Sequence, residues 1–595
     1  MKRFLKRAAM TALGGVMLVI GIMGCASGGK IAFTPGVYQG TARGFNGDVT
    51  VEVTVDAARI LDIRIVAQND TPEISGLAYE RIPRAIVAGQ TLAVDVVSGA
   101  TFSSNGVIAA VTAALELSGV NLDALKTRRP SEAGAARTAE TLDADVVVIG
   151  GGGAGLAAAI SASQNGAKVI VLEKMPRAGG NTIISGAAYN AVDPARQRPR
   201  GIEDSIDLHY TQTFEGGDMK GDPAMVRTLV ENALPALQWM ESMGMEFTDE
   251  IFTVLGALWP RSHRPVMPLG TGYIDTDLKY IAAHPDLITL MVDTKATELI
   301  VANGRVTGVK AEGQTTDYVL NAGRGVVIAT GGFGANKELR QRFNTQWPDL
   351  TNAGTTNHPG ATGDGLVLAE AVDANLVGME YIQLLPMGDP ETGSLSGNIE
   401  QAVEDRFFVN KEGNRFVDEG ARRDVMTLAL FEQTDAYMWV ICDRHSYPTP
   451  QVKNNFNESI EELIQQGRAF EANTIEELAR KIGVPPASLQ AATAEFNAGV
   501  DAGTDRFGRT LWKIKIDSPP YYAGARIPTV HHTMGGIQIN PQAQVLDRQG
   551  RIVPGLYAAG EVTGGIHGSN RLGGNALADI HVFGRIAGAS AAAER

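Results

Sequence analysis

Only two cysteines, Cys25 and Cys442, occur in 595 residues, and no Cys-x-x-Cys-His is present, so covalent c-type haem is excluded and neither cysteine nor zinc chemistry is indicated. No metal site is expected. Lys and Arg are outnumbered, 52 against 66 Asp and Glu, and beyond the first seven residues they form no cluster of the kind that binds nucleic acid. The net charge of −14 argues against a nucleic-acid partner, because phosphate binding needs grouped basic residues. The apolar stretch from Ala8 to Met23 is short for a membrane span, and no internal repeat is visible.

What is present is ordinary for a folded protein: 44% hydrophobic and 20% charged residues, with a mean hydropathy of −0.03. The length exceeds what one core supports, so several domains are expected. The 69 glycines suit a nucleotide-binding α/β fold with tight backbone approaches. Lys2, Arg3, Lys6 and Arg7 precede the apolar stretch, which has the order of a secretory signal, and Ile22, Met23, Gly24, Cys25 resembles a bacterial lipobox. Residues 1–25 are therefore expected to be a signal peptide, with Cys25 lipidated after cleavage. The protein would then be an extracytoplasmic, membrane-anchored lipoprotein with no intramolecular disulfide. Cys442, in an apolar run, is expected to be a buried core residue.

From 31 to 120 the chain alternates like strands, at Gly36 to Ala42, Val49 to Val55 and Ile60 to Val66, before a helical period after Ser103. This predicts a small α+β domain. Its run Asp95 to Thr101, containing Ser98 and Gly99, resembles the signal by which a transferase esterifies FMN phosphate onto a threonine hydroxyl, here Thr101. A helix start beside that phosphate is electrostatically favourable. Residues 126–142 lack apolar periodicity and read as a linker. Next comes a strand from Ala144 to Ile149, a turn with Gly150, Gly152 and Gly155, a helix from Leu156, and a strand from Lys168 to Leu172 ended by Glu173. This is a dinucleotide fingerprint in full context: glycines admit the pyrophosphate to the helix N-terminus, and the acid accepts from ribose. Non-covalent FAD is the expected occupant, and no second fingerprint for a nicotinamide is visible.

Further stretches resemble the soluble fumarate reductase flavoprotein family, which includes urocanate and acrylate-type reductases. They are Gly179 to Thr182 with Ser185 and Gly186, Ala329 to Phe333, Thr356 to Gly365, Asn410 to Asp424, His531 to Gly536, Gly555 to Glu561, and His567 to Asn575. The resemblance implies an α/β protein: a Rossmann-like FAD domain, 143–384 and 527–595, interrupted by an α+β capping domain, 385–526. It also implies FAD contacts from Ala154, Gly180, Asn181, Thr182, Ser185, Gly186, Thr330, Gly331, Asp364, Glu561 and Asn575. In such enzymes hydride from FAD reduces an alkene, an arginine of the cap donates the proton, and a His and an Arg bind the substrate carboxylate. The matching residues are Arg423, His531 and Arg571. A guanidinium binds a carboxylate through a fixed fork of donors and favours charge developing beside it. An arginine acid, with its ordinarily high pKa, needs a relay that re-protonates it. His358 and His567 are expected to be structural or flavin-contacting.

The pattern departs from fumarate-specific members. Their His at the cap entrance becomes Leu385, and their Thr-Glu pair becomes Glu400 and Gln401. A second carboxylate would meet a leucine and an acid, so a monocarboxylate of acrylate, cinnamate or urocanate type is expected, and fumarate is disfavoured. Gln401 cannot shuttle protons, which leaves Glu400, Glu404 or Asp405 for the relay. The expected partners are this unsaturated acid, a membrane-associated electron donor reducing FMN, and an FMN transferase for maturation. Two other readings stay open: a dehydrogenase or oxidase of ketosteroid type, and a non-catalytic electron-carrying lipoprotein.

Overall fold

The structure, a computed structural model of the chain, describes residues 32–44, 47–70, 72–97, 101–127, 137–454 and 456–594. Cys25, Ser98 and Gly99 lie outside the described residues, as does the side chain of Thr101. Two compact units divide the described residues, a small one of 32–70, 78–96 and 102–127 and a large one of 72–77, 97, 101 and 137–594.

In the small unit, strands Gly36–Arg43, Asp48–Val55 and Ile60–Ala67 form an antiparallel sheet. Val49, Val51, Val53 and Val55 alternate inward and are all buried, the two-residue period that the sequence displays. Helix Thr101–Glu116 packs closely on the first strand. A Cβ on Gly40 would lie 2.1 Å from the Ala110 carbonyl oxygen, so only glycine permits this approach. The helix begins at Thr101 itself. Helix Pro72–Gly89, with Ala78, Ile82 and Ile86 buried at helical spacing, is an element that sequence reading missed.

The large unit is built on an eight-stranded sheet. Its parallel centre runs Ile552–Ala558, Thr316–Ile328, Thr138–Ile149, Val169–Leu172, Ile288–Met291. Val146 to Ile149 are buried on both faces, as a central parallel strand requires. The expected linker 126–142 is corrected at both ends. Helix Leu122–Thr127 closes the small unit, and the central strand starts at Thr138 rather than Ala144. Thr138 to Asp143 pair with Thr316 to Asn321 while remaining largely exposed, so backbone hydrogen bonds, not apolar burial, make this part of the strand. Helix Gly153–Gln164 lies against helix Asn575–Ala593 through small residues: a Cβ on Gly588 would sit 2.1 Å from the Ala158 carbonyl oxygen.

A second, six-stranded sheet joins the cap to this body. Strand Tyr521–Thr533 pairs with Met438–Asp443 over its first half and with Ile382–Gly388 over its second. The expected cap limits, 384/385 and 526/527, thus fall inside two continuous strands instead of in loops. Cys442 is buried in the cap core, as expected. No helix among the described residues is long and apolar enough to cross a membrane.

Candidate active site

The glycine turn opens on a cleft. Gly150 has φ +109°, and a Cβ there would lie 2.3 Å from the Ala329 carbonyl oxygen; a Cβ on Gly155 would lie 1.9 Å from the Gly150 carbonyl oxygen. Both glycines are demanded by packing. Gly152 differs: a Cβ there meets nothing within 4 Å, because it faces the cleft, and it caps helix Gly153–Gln164 without any side-chain bond. The helix N-terminus is therefore open to a pyrophosphate. Glu173 accepts from Gly151 N–H and Met175 N–H, both at 2.7 Å, and burial pushes its carboxyl up. Thr330 Oγ1 is buried on the cleft wall with no hydrogen-bond partner. An open helix end, an enclosed acid and an orphaned hydroxyl fit FAD.

Of the expected FAD contacts, Gly150, Gly152, Ala154, Glu173, Gly180, Asn181, Thr182, Thr330, Gly331, Asp364 and Glu561 line this cleft, and so does His358. Asn181 donates to Glu561 Oε2 at 3.1 Å and accepts from His358 N–H at 2.6 Å. Gly155, Ser185, Gly186 and Asn575 are not on the wall. Ser185 Oγ donates to the Thr182 carbonyl, and Asn575 is fully buried, its amide used by Asn190, His209 and Thr213. Asn575 thus holds the start of its helix rather than facing the cofactor. His567 pairs with Asp579 at 3.2 Å, a buried structural contact.

The three expected catalytic residues are brought together, and a residue not anticipated joins them. Gln383 Oε1 accepts from Arg423 Nη1 at 3.0 Å and from Arg571 Nη2 at 3.1 Å, while its amide donates to Asn570 Oδ1 and the Arg571 carbonyl. Arg423 also donates from Nε and Nη2 to the Leu255 carbonyl, at 3.2 and 2.6 Å. It lies in a slot between glycines. A Cβ on Gly256, where φ is +75°, would be 2.5 Å from Arg423 Nε, and one on Gly573 would be 2.9 Å from Nη2. Arg571 Nη1 donates to the Leu572 carbonyl at 3.1 Å, and its Nε–H is buried without a partner. All these partners are neutral oxygen atoms. Burial, then Arg571, push the Arg423 guanidinium well below its usual range, opposed by Glu400. Burial also pushes Arg571 down to about 10. Two adjacent buried cations whose hydrogen bonds go only to neutral oxygens are costly to bury, a cost offset in part by Glu561 and Asp579 around Arg571 and by Glu400 around Arg423.

His531 owes its position to a β-bulge. Gln383 pairs with His532 but Leu384 pairs with Val530, which leaves His531 as the extra residue of its strand. Its Nδ1 lies 2.8 Å from Thr356 Oγ1, so Nε2 is left to meet a ligand. Burial and the two arginines hold this imidazole neutral.

The residues expected to contact the substrate's far end divide. Leu385 is buried on the strand of Gln383, two residues along and hence on the same face. Glu400 Oε2 accepts from the fully buried Arg406 Nε at 2.7 Å. Gln401 is corrected: its amide donates outward to the Lys453 carbonyl at 3.1 Å, and it takes no part in the site. Gln383 escaped sequence reading because a lone glutamine carries no motif. Its place two residues before Leu385 was the signal available.

Residues 145–577 match the FAD binding domain family and residues 44–116 the FMN-binding domain family. The chain is 36% identical to a urocanate reductase of Eggerthella lenta, covering 100% of this chain and 99% of that protein. It is 39% identical to an NADH:acrylate oxidoreductase of Vibrio harveyi over 94% of this chain; there it spans only 61% of the relative's length. Among solved structures it resembles the open conformation of a flavocytochrome c3 fumarate reductase, with a TM-score of 0.62 and 36% identity, covering 76% of this chain and 78% of the other.

Proposed function

The chain belongs to the soluble fumarate reductase and urocanate reductase family of FAD-binding flavoproteins, and on that premise we propose that it reduces the C=C bond of an α,β-unsaturated monocarboxylate. The observation that carries this reading is the pair of buried guanidiniums, Arg423 and Arg571, with neutral partners only and with Arg571 Nε–H unbonded. A carboxylate headgroup supplies the missing charge and the missing acceptor.

Arg571 and His531 Nε2 bind the carboxylate, and Arg423 donates the proton to the alkene carbon. When bound, FAD supplies the hydride, and FMN on Thr101 supplies it with electrons. The lowered basicity of Arg423 answers the difficulty of an arginine acid, since a guanidinium crowded by a like charge and stripped of water gives up its proton more readily. Glu400 is the acid whose charge acts on Arg423, and Arg406 holds it, so this pair returns the proton. Behind it, buried Asp405 has a carboxyl pushed up by burial and then by Glu400, which suits a proton reservoir. Leu385 in place of a donor favours acrylate, cinnamate or urocanate over fumarate. Electrons enter from a membrane-associated donor. The protein acts outside the cytoplasm, tethered through Cys25, after an FMN transferase has modified Thr101.

The test is turnover of purified, flavinylated protein with dithionite-reduced viologen and a panel of enoates. Dye oxidation with monocarboxylates, and less with fumarate, is expected; no oxidation with any acid refutes the reading. Replacing Thr101 by Ala should abolish flavin fluorescence on a denaturing gel, and an unchanged band places the attachment elsewhere.

A further inference from the structure

Two loops that flank the site, one from each side of the cap boundary, converge on a single carboxylate. Helix Ile206–Gly216 is followed by Gly217, Asp218 and Met219, and the last two both have φ of 57°. A non-glycine residue in that region costs about 1–2 kcal/mol, so a consecutive pair persists only where its surroundings impose it. Here they do. Ser569 N–H donates to the Gly217 carbonyl at 3.1 Å and Asn570 Nδ2 to the Gly216 carbonyl at 3.0 Å. The backbones approach so closely that a Cβ on Gly568 would lie 2.2 Å from the Gly217 carbonyl oxygen.

Asp218, displayed by this strained turn, takes a fork of hydrogen bonds from Arg422: Nη1 to Oδ1 at 2.6 Å and Nη2 to Oδ2 at 3.0 Å. It also accepts from Ser569 Oγ. Arg422 is the N-cap residue of helix Arg423–Phe431 and is oriented by Asp424, at 3.1 and 2.7 Å. Ser569 stands two residues before Arg571. Among the described residues, Arg422 with Asp218 is the one ion pair that joins 385–526 to the segments around it.

We propose that Asp218 is a positioning residue for the reduction. By binding Arg422 and Ser569 with one carboxylate, it sets the proton-donating Arg423 of the cap in register with the carboxylate-binding Arg571 of the FAD domain. This rests on the roles given to those two arginines above. Proton and hydride must reach adjacent carbons of one bound acid, and a misplacement near 1 Å is enough to lose about 100-fold in rate. The two side chains are 29% and 47% exposed, so the clasp is accessible to salt. Its bidentate geometry, rather than its net energy, does the positioning.

The test uses full-length flavinylated protein with Asp218→Asn, Arg422→Ala, their combination, and the swap of Asp218→Arg with Arg422→Asp. Asparagine is well tolerated at positive φ, so Asp218→Asn removes the charge and keeps the turn. Turnover is expected to fall about 10- to 100-fold in kcat in each single variant, with bound flavin unchanged and no further loss in the combination. The swap should recover part of it. Wild-type kcat should fall as salt rises from about 0.05 to about 1 M, while the variants stay flat. A second reading needs no substrate: amide hydrogen exchange over 419–431 and 565–574 should quicken together in Asp218→Asn. Single variants within about twofold of wild type in kcat, across that range of salt, overturn the proposal. If the wild type reduces no enoate, the assigned reaction is wrong. Exchange then decides for the clasp, and segments that do not quicken together overturn it.

Discussion

Gln383 offers a sharp test, because its two substitutions should move stability and turnover in different combinations. Its Oε1 bridges Arg423 and Arg571 at 3.0 and 3.1 Å, and each of these charge-assisted bonds is worth about 1.5–3 kcal/mol. Gln383→Leu keeps the volume and removes both, leaving two buried guanidiniums short of an acceptor. The fold should lose about 2–4 kcal/mol after partial relaxation, since each unmet buried donor costs about 1–3 kcal/mol. Misalignment of both groups should lower kcat/KM about 100-fold, equivalent to about 2.7 kcal/mol at 1.36 per decade. Gln383→Glu places a carboxylate between the cations, where each pair gains about 4 kcal/mol at 4 Å and an effective dielectric of 20, less the cost of desolvation. That variant should melt higher than wild type yet turn over at least as poorly as Gln383→Leu, because its own anion occupies Arg571 and restores the basicity of Arg423. Thermal melts and viologen-linked rates on the two proteins decide the matter. A melting temperature lowered by Gln383→Glu, or activity of Gln383→Leu within about twofold of wild type, refutes the account of a site held open for an incoming anion.

Arg571, pushed down to about 10, is charged below that pH and neutral above it, so KM for the acid should be flat from about pH 7 to 9 and rise beyond pH 10. The same protonated, buried guanidinium costs the free protein stability below pH 10, and a bound carboxylate offsets that cost. Substrate should therefore raise the melting temperature below pH 10 and lose the effect above it; an effect independent of pH assigns carboxylate binding elsewhere. Leu385→His should raise kcat/KM for fumarate relative to acrylate by about 10-fold or more, as one new donor for a second carboxylate implies. An unchanged ratio removes Leu385 from the pocket.

The nucleotide turn was legible because it sits in a local pattern that backbone chemistry enforces, whereas Arg423 and Arg571 stood out only through the resemblance to the fumarate reductase flavoproteins. Gly150 and Gly155 are glycines since nothing larger fits, and the valines of the small sheet alternate since only one face is buried. What the sequence concealed depends on partners distant along the chain. Thr138 to Asp143 form a strand by pairing with residues nearly 180 positions later, with no apolar signature of their own. Gln383 gains its importance only when folding sets it between residues 423 and 571. Asn575 shows the opposite failure. It stands in a distinctive motif, yet its amide is spent on Asn190, His209 and Thr213, so a motif marks a position the fold needs without saying which neighbour needs it.

The strand Tyr521–Thr533 has a consequence for how such enzymes diverge. One continuous strand of backbone is shared by the cap and the FAD domain, and its bulge at His531 sets the phase of the side chains on either side of it. Losing or gaining one residue anywhere upstream in that strand would invert every side chain between the change and the bulge. Selectivity can therefore drift by exchange of side chains but not by change of length there, and hybrids of two relatives should inherit this whole segment from a single parent.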